Sequence, residues 1–340
     1  MVNQRLVIGL TGDVMMGRGV DDVLTRNGYI FSWGNVLSAF ESTDLNIINL
    51  ETALTNSNHK SPKTFNFKAS PDKIKSLTQA CITIVNLANN HILDFSEEGL
   101  METIQSLTEG GIKFVGAGKN DKEASKPVVL TKNNIKIGVL GFTDNEPGWK
   151  AGISKSGVNY INISKKSDRD KALADIENLS KEADIVVISI HWGSNMKEYP
   201  ESHFISFAHE MIEYGADIIH GHSAHNFQGI EVYNQKIIFY NAGDFLDDYI
   251  VDPVLKNDHS FFYRIEVDKE GIIKTELIPV LISSCQVNLA TGQDYNWCLE
   301  RMQYLSNKFG TNINDKGEIL LRTKSYKQVN NLENTITNKN

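Results

Sequence analysis

The chain has 340 residues, 41% of them hydrophobic and 22% charged, which is ordinary globular composition with ample apolar material for a large core. Acidic residues outnumber basic ones, 42 to 34, and the net charge of -8 excludes the electrostatic footprint of a nucleic-acid binder. No apolar stretch reaches the ~18 residues of a membrane span. The first strand starts at about Arg5, which leaves no room for a signal peptide. Three cysteines, Cys81, Cys285 and Cys298, stand far apart in no ligand spacing and read as reduced thiols, so a cytoplasmic protein is expected.

In chain order, five apolar runs end in groups that bind metals or move protons. Residues 6–10 run into Gly12-Asp13, and residues 45–50 into Glu51. Residues 82–87 run into Asn89-Asn90-His91. Residues 185–190 run into His191, and residues 217–219 into His220-Gly221-His222-Ser223-Ala224-His225. Runs this short and rich in Val and Ile read as buried strands. Helical periodicity falls between them, at residues 72–79, 97–109, 168–182 and 201–214. Ser70-Pro71 opens the first of these helices, and glycines at 110 and 215 stop the second and fourth. Strand and helix in alternation predict a largely parallel sheet covered by helices, an α/β fold. Ligands in such folds bind beyond the carboxyl ends of the strands. The five ends therefore predict one polar cluster along a sheet edge.

After Gly229 the texture changes. Residues 230–233, 236–240, 261–267 and 272–278 read as antiparallel strands, with hairpin turns at Asn234-Gln235 and at residues 268–271, completing a second sheet. Residues 294–309 read as a helix, and the polar, Asn-rich residues 327–340 as a disordered tail. The expected division is a catalytic domain over 1–285 and an extension over 286–340.

Three imidazoles within six residues directly after a strand are the strongest chemical signal, because neutral imidazole is the commonest metal ligand. The alternative is a polar loop with exposed histidines. Asp13 and Glu51 supply carboxylates, which can bridge two divalent ions and offset their repulsion. Asp13 alone also fits a helix N-cap. Asn90 offers an amide oxygen as a ligand. His91 beside it fits a general acid, and Asp94 can hold the His91 tautomer; a simple turn at Asn89-Asn90 is the competing reading. His191, followed by Trp192-Gly193, is a ligand candidate or a packed histidine. Gly116-Ala117-Gly118 lacks the third glycine of a dinucleotide loop and is a weak signal.

These residues resemble a family. Gly12-Asp13-Val14-Met15 with Arg18, Asn49-Leu50-Glu51-Thr52, residues 86–91 with Asp94, His191-Trp192-Gly193, and Gly221-His222 with His225 are similar to the bacterial capsule-synthesis CapA (poly-γ-glutamate) family of the calcineurin-like metallophosphoesterase superfamily. The resemblance covers about residues 5–285. It implies a four-layer α/β/β/α sandwich. It assigns Asp13, Glu51 and His225 to one metal ion and Glu51, Asn90, His191 and His222 to another. His91 with Asp94 becomes the catalytic acid pair, and Arg18 and Trp192 become substrate-binding candidates. Arg18 also fits a surface cation.

Met15 stands where the wider superfamily carries a histidine, which leaves one metal site short of a ligand. His220 and His222 have the superfamily's usual spacing, so the binding pair is open, as is a role for Asp244. The implied cofactor is one or two divalent ions, Mn, Fe(II) or Zn. The implied reaction is hydrolysis of a phosphoester or amide-type bond by metal-activated hydroxide, on a small molecule or an acidic polymer. A non-catalytic accessory protein that binds an acidic polymer, or a peptide-tailoring enzyme, is the alternative.

Overall fold

A computed structural model describes residues 4–321. The first half runs β1 (Leu6–Val14), α1 (Gly19–Asn27), β2 (Leu45–Leu50), α2 (Ile74–Gln79), β3 (Ile84–Asn86), α3 (Ser96–Glu109), β4 (Lys113–Val115), β5 (Val128–Lys132) and β6 (Ile135–Thr143). The second half runs α4 (Lys166–Ser180), β7 (Ile185–His191), α5 (Ser202–Glu213), β8 (Ile218–His222), β9 (Ile230–Tyr233), β10 (Lys236–Phe239), β11 (Asp244–Leu246), β12 (His259–Asp268), β13 (Gly271–Ser283), β14 (Gln286–Leu289), α6 (Gly292–Asn307) and β15 (Glu318–Leu320). The fold is α/β, as the strand–helix alternation predicts.

Two sheets carry the site. The first has the order β14-β13-β12-β1-β2-β3-β4, with β11 added beside β1 and β15 beside β13. The second has the order β9-β10-β8-β7-β6-β5. The five expected strand ends therefore do not share one sheet edge. Asp13 lies near the end of a strand of the first sheet, Glu51 and His91 follow strands of that sheet, and His191 and His220–222 close strands of the second. The sequence pattern identifies strand ends but carries no information on which sheet a strand joins.

Side-chain alternation explains how the polar ends meet. Ile185 and Val187 of β7, Ile218 of β8, Leu45 and Ile47 of β2, and Ile84 of β3 belong to one apolar cluster shared by both sheets. Continuing each strand by steps of two puts Ser189 and His191, His220 and His222, Asn49, and Asn86 on that same inner face. The cluster thus changes from apolar to polar along its length without changing face. Strand β1 needs one correction to join it. Leu6, Ile8 and Leu10 face the shared core, and Asp13 has the opposite parity. The pairing of β1 with β2 shifts between Leu10 and Asp13, and this irregularity turns Asp13 inward.

The outer face of the first sheet packs Ile48 and Val85 against Leu24 of α1, Leu77 of α2 and Leu107 of α3. The outer face of the second packs Val186, Ile188 and Ile190 against Ile176 of α4 and Phe207 of α5. The expected boundary at residue 285 falls in the tight turn between β13 and β14, two strands paired to each other. Helix α6 then adds Cys298, Met302 and Leu305 to the core shared by the sheets. The expected disordered tail, 327–340, lies outside the described residues. No helix among the described residues is long and apolar enough to cross a membrane.

Candidate metal centre

Strand register lines up two rows of polar side chains. Across the first sheet Asp13 pairs with Asp244 on one side and Asn49 on the other, and Asn49 pairs with Asn86. Across the second sheet His191 pairs with His222. The rows meet: Asp13 Oδ1 lies 3.7 Å from His191 Nδ1 and 3.7 Å from His222 Nδ1, and the two histidine nitrogens lie 2.9 Å apart. These three residues form one group of ligand atoms lying within 4.8 Å of one another. Asp13, His225 and Asp244 form a second such group, so Asp13 belongs to both. Glu51 Oε1 adjoins the first group, 3.8 Å from His191 Nε2.

Local chemistry holds these groups in place. Asn49 Nδ2 donates to Asp13 Oδ1 at 2.7 Å, and the Ser223 amide donates to Asp13 Oδ2 at 3.1 Å. Asn86 and Asn89 both donate to Asn49 Oδ1, which fixes its amide orientation. Asp13 also sits where its own amide donates to the Gly243 carbonyl at 2.9 Å. Gly12 permits that approach, because a Cβ there would lie 1.8 Å from the Gly243 oxygen.

The centre holds charge at high cost. Burial first, then the neighbouring Asp244, pushes the Asp13 carboxyl above its ordinary range. Burial and then Asp13 do the same to Glu51. Burial opposes a charge on His225, yet Asp244, Glu51 and Asp13 hold its pKa up to about 10. Burial pushes His191 and His222 well down, so both imidazoles are neutral. Both Glu51 oxygens, Asn90 Oδ1 and His191 Nε2 are buried without any hydrogen-bond partner. Buried polar atoms are nearly always satisfied. The orphaned Glu51 oxygens and His191 Nε2, inside a carboxylate–imidazole cluster, fit a bound cation.

The side of the cleft toward His91 is built differently. Asp94 Oδ2 accepts from His91 Nδ1 at 2.5 Å and from the Phe67 amide at 2.7 Å. This arrangement points His91 Nε2 at the cluster, 3.7 Å from Glu51 Oε1. Lys63 Nζ donates to the other Asp94 oxygen at 3.0 Å and to the Asn90 carbonyl. Burial lowers the His91 pKa and Asp94 works against that. Phe67 stacks on His91 with ring centroids 4.1 Å apart and leans on Tyr249 at 5.7 Å, and Tyr249 meets His225 edge-on at 5.2 Å. The Tyr249 hydroxyl is buried with no partner. Burial and the carboxylates of Glu51 and Asp244 raise its pKa far above the usual phenol value, so it is a hydrogen-bond donor.

The structure places most of the expected residues together. Asp13, His191, His222 and His225 meet with Asp244, Glu51 adjoins them, His91 adjoins Glu51, and Asp94 stands behind His91. Arg18 lies at the rim, paired with Asp248 and 4.7 Å over the Phe67 ring. Trp192 is placed elsewhere than expected: its indole is buried beside Phe204 and donates to the Tyr240 carbonyl at 2.8 Å. Its side chain therefore has neither a free polar atom nor an exposed face for substrate. His220 uses both nitrogens on other partners, Ser189 Oγ and the Thr11 carbonyl, which separates it from His222. Met15 is buried, its sulfur facing the Gly17 amide at 3.0 Å, and Asp244 is the further ligand-type group on that side.

Sequence reasoning quoted Asn49 and Asn86 within motifs but gave them no role, and it missed Lys63, Phe67 and Tyr249. For the two asparagines a signal existed, since both stand at strand positions whose alternation matches the core. For the other three none did, because they reach the cleft from loops.

The sequence model for the family described as bacterial capsule synthesis protein PGA_cap matches residues 7–249. The chain belongs to this family. The capsule biosynthesis protein CapA of Bacillus anthracis is 32% identical over 72% of this chain and 61% of its own length. The PGA biosynthesis protein CapA of Bacillus subtilis is 31% identical over 81% of this chain and 71% of its own. A "Probable polyglutamine synthesis accessory protein" of Mycobacterium tuberculosis is 29% identical over 92% of this chain and 94% of its own. The family's link is to capsule and poly-glutamate synthesis.

Proposed function

We propose that this chain is a metal-dependent hydrolase of capsule or poly-glutamate metabolism, cleaving a phosphoester or amide-type bond. One observation carries the reading: both Glu51 oxygens and His191 Nε2 are buried without any hydrogen-bond partner, within a cluster of carboxylates and neutral imidazoles. Asp13, His191 and His222 would hold one divalent ion and Asp13, His225 and Asp244 a second, with Glu51 and Asn90 completing the set. Oxygen and imidazole donors without thiolate suit Mn, Fe(II) or Zn. Bound there, divalent ions lower the pKa of water toward neutrality and stabilise charge on substrate oxygens. The two facing sheets with helices outside each support an α/β/β/α sandwich of metallophosphoesterase type.

The chain's own residues supply the proton chemistry. Asp94 holds the His91 proton on Nδ1 and stabilises the imidazolium, so Nε2 is the atom that carries a proton to the leaving group. Lys63 pairs with the second Asp94 oxygen and so fixes the orientation of that side chain toward His91. Phe67 covers one face of His91 and excludes water from it. The Tyr249 hydroxyl donates to a substrate oxygen from the His225 side. Arg18 at the rim meets an anionic group of the substrate.

A second reading follows from the accessory role in the name of the mycobacterial relatives: the cleft binds an acidic polymer without cleaving it. One experiment separates the two. Elemental analysis of metal-replete protein is paired with assays on phosphoesters and on poly-γ-glutamate, for wild type and for the His91→Ala and His222→Ala variants. The hydrolase reading expects turnover that stops on chelation and returns with Mn or Fe(II). It expects His91→Ala to keep metal and polymer binding while kcat falls ~10²–10⁴-fold. Polymer binding with no turnover in wild type favours the accessory reading. Wild type that binds no divalent ion ends the hydrolase reading.

A further inference from the structure

Ser189 and His220 lie one step deeper than the ligand pair. Each stands two residues before a ligand, Ser189 before His191 and His220 before His222, and the two are paired in register as the ligands are. Alternation therefore stacks them beneath His191 and His222 on the same inner face. All four side chains are buried. His220 Nε2 lies 2.6 Å from the Thr11 carbonyl, His220 Nδ1 lies 3.1 Å from Ser189 Oγ, and Ser189 Oγ lies 3.0 Å from His222 Nε2. Thr11 falls in the stretch where the β1–β2 ladder is interrupted.

This chain of contacts has only one consistent direction. A carbonyl only accepts, so His220 carries its proton on Nε2. A second proton on His220 would bury a charge that touches no carboxylate, which is strongly disfavoured. Its Nδ1 is thus an acceptor, and Ser189 spends its single hydroxyl proton there. Ser189 Oγ can then only accept from His222, so His222 Nε2 is the donor. The His222 Nδ1 lone pair is left facing Asp13 Oδ1 at 3.7 Å and His191 Nδ1 at 2.9 Å. With the opposite tautomer, His222 Nε2 and Ser189 Oγ would meet lone pair to lone pair in a dry interior.

We propose that Ser189 and His220 are positioning residues of the metal centre: anchored on the Thr11 carbonyl, they hold His222 in its Nε2-protonated tautomer and aim its Nδ1 lone pair at the ligand cluster. Metal-ligating histidines commonly take their orientation from the partner of the other ring nitrogen, and loss of that partner weakens metal binding 10–100-fold. The proposal rests on the metal reading above for its consequence, but the tautomer itself is a property of the metal-free chain. It also explains the third histidine of the sequence motif without making it a ligand.

The test begins with long-range ¹H–¹⁵N spectra of the ¹⁵N-labelled, chelator-stripped full chain, with His222 assigned by loss of its signals in His222→Gln. The expected pattern is a protonated Nε2 and an unprotonated Nδ1. An Nδ1-protonated His222 overturns the proposal, and so does an even mixture of tautomers. The second arm is Mn(II) titration, expected to show 10–100-fold weaker binding in Ser189→Ala and near wild-type binding in Ser189→Thr, which keeps the hydroxyl. A Ser189→Ala protein that folds and binds Mn(II) as tightly as wild type also overturns it. Failure of wild type to bind Mn(II) or any other divalent ion refutes the hydrolase reading and with it the ligand role of His222, and leaves the spectra to decide whether the tautomer is set as described.

Discussion

On the proposed reading, single side chains divide the centre into ligand, acid and support. Asp244, whose role the sequence leaves open, pairs with His225 at 2.9 Å and shares a group of possible ligand atoms with Asp13. Replacing it with Asn should lower metal content per chain while the His191–His222 group stays loaded, as read by elemental analysis of the purified variant. Tyr249→Phe removes one hydroxyl and little else. If that hydroxyl meets substrate, kcat should fall ~10- to 100-fold, the size expected for a hydrogen bond to a charged group, with metal content unchanged. Equal kcat in both proteins would reduce Tyr249 to a wall of the cleft.

Elements decide where those side chains point. The irregularity between Leu10 and Asp13 converts an apolar inner strand into one that ends with a carboxylate on the inner face. It is locked by the close approach of Gly12 to Gly243, and a methyl group at Gly12 meets backbone oxygen, which cannot move aside cheaply. Gly12→Ala should therefore cost ~2 to 3 kcal/mol or more in denaturant unfolding and weaken metal binding together. Trp192 belongs to an element rather than to the site. Trp192→Phe strands the buried Tyr240 carbonyl and should lower stability by about 1 to 2 kcal/mol with metal stoichiometry intact. Loss of metal without loss of stability would return Trp192 to the site.

At the scale of the molecule the centre shapes stability as a function of pH. In the ion-stripped chain His225 has its pKa raised to about 10 by the surrounding carboxylates, against about 6.5 when unfolded. The native state therefore binds more protons than the unfolded state between those values, and stability falls as pH rises from about 7 to about 10. Glu51, pushed upward by burial and by Asp13, acts in the same direction. Below about pH 6.5 two sets of groups oppose each other. Burial lowers His220 to about 4 and lowers His191 and His222 further, which makes the unfolded state bind more protons, whereas the raised carboxyls of Asp13, at about 7, and of Glu51 make the native state bind more. Thermal midpoints of chelator-treated protein should fall between about pH 7 and about pH 10, and excess Mn(II) should flatten this alkaline limb. A flat alkaline limb without metal would show that His225 is not a buried cation.

Much of this protein is legible from sequence because its strands are short, apolar and punctuated by the residues that matter. The short Val- and Ile-rich runs of β7 and β8 predict strands, and their polar ends predict a site. The histidine run identifies a metal-ligand candidate, and the motif order identifies the family. What the sequence could not decide depends on distance across the fold. The sharing of strand ends between two sheets, the turning of Asp13 by one irregularity, and the pairing of Asp244 with His225 all need chain segments far apart in sequence to meet. The same holds for His220. In sequence it is one of three equivalent imidazoles, and only the Thr11 carbonyl and Ser189 hydroxyl, brought to its two nitrogens by packing, separate it from the ligands. Residue type and periodicity are local properties and survive in the sequence, whereas hydrogen-bond direction is set by what packs against each nitrogen.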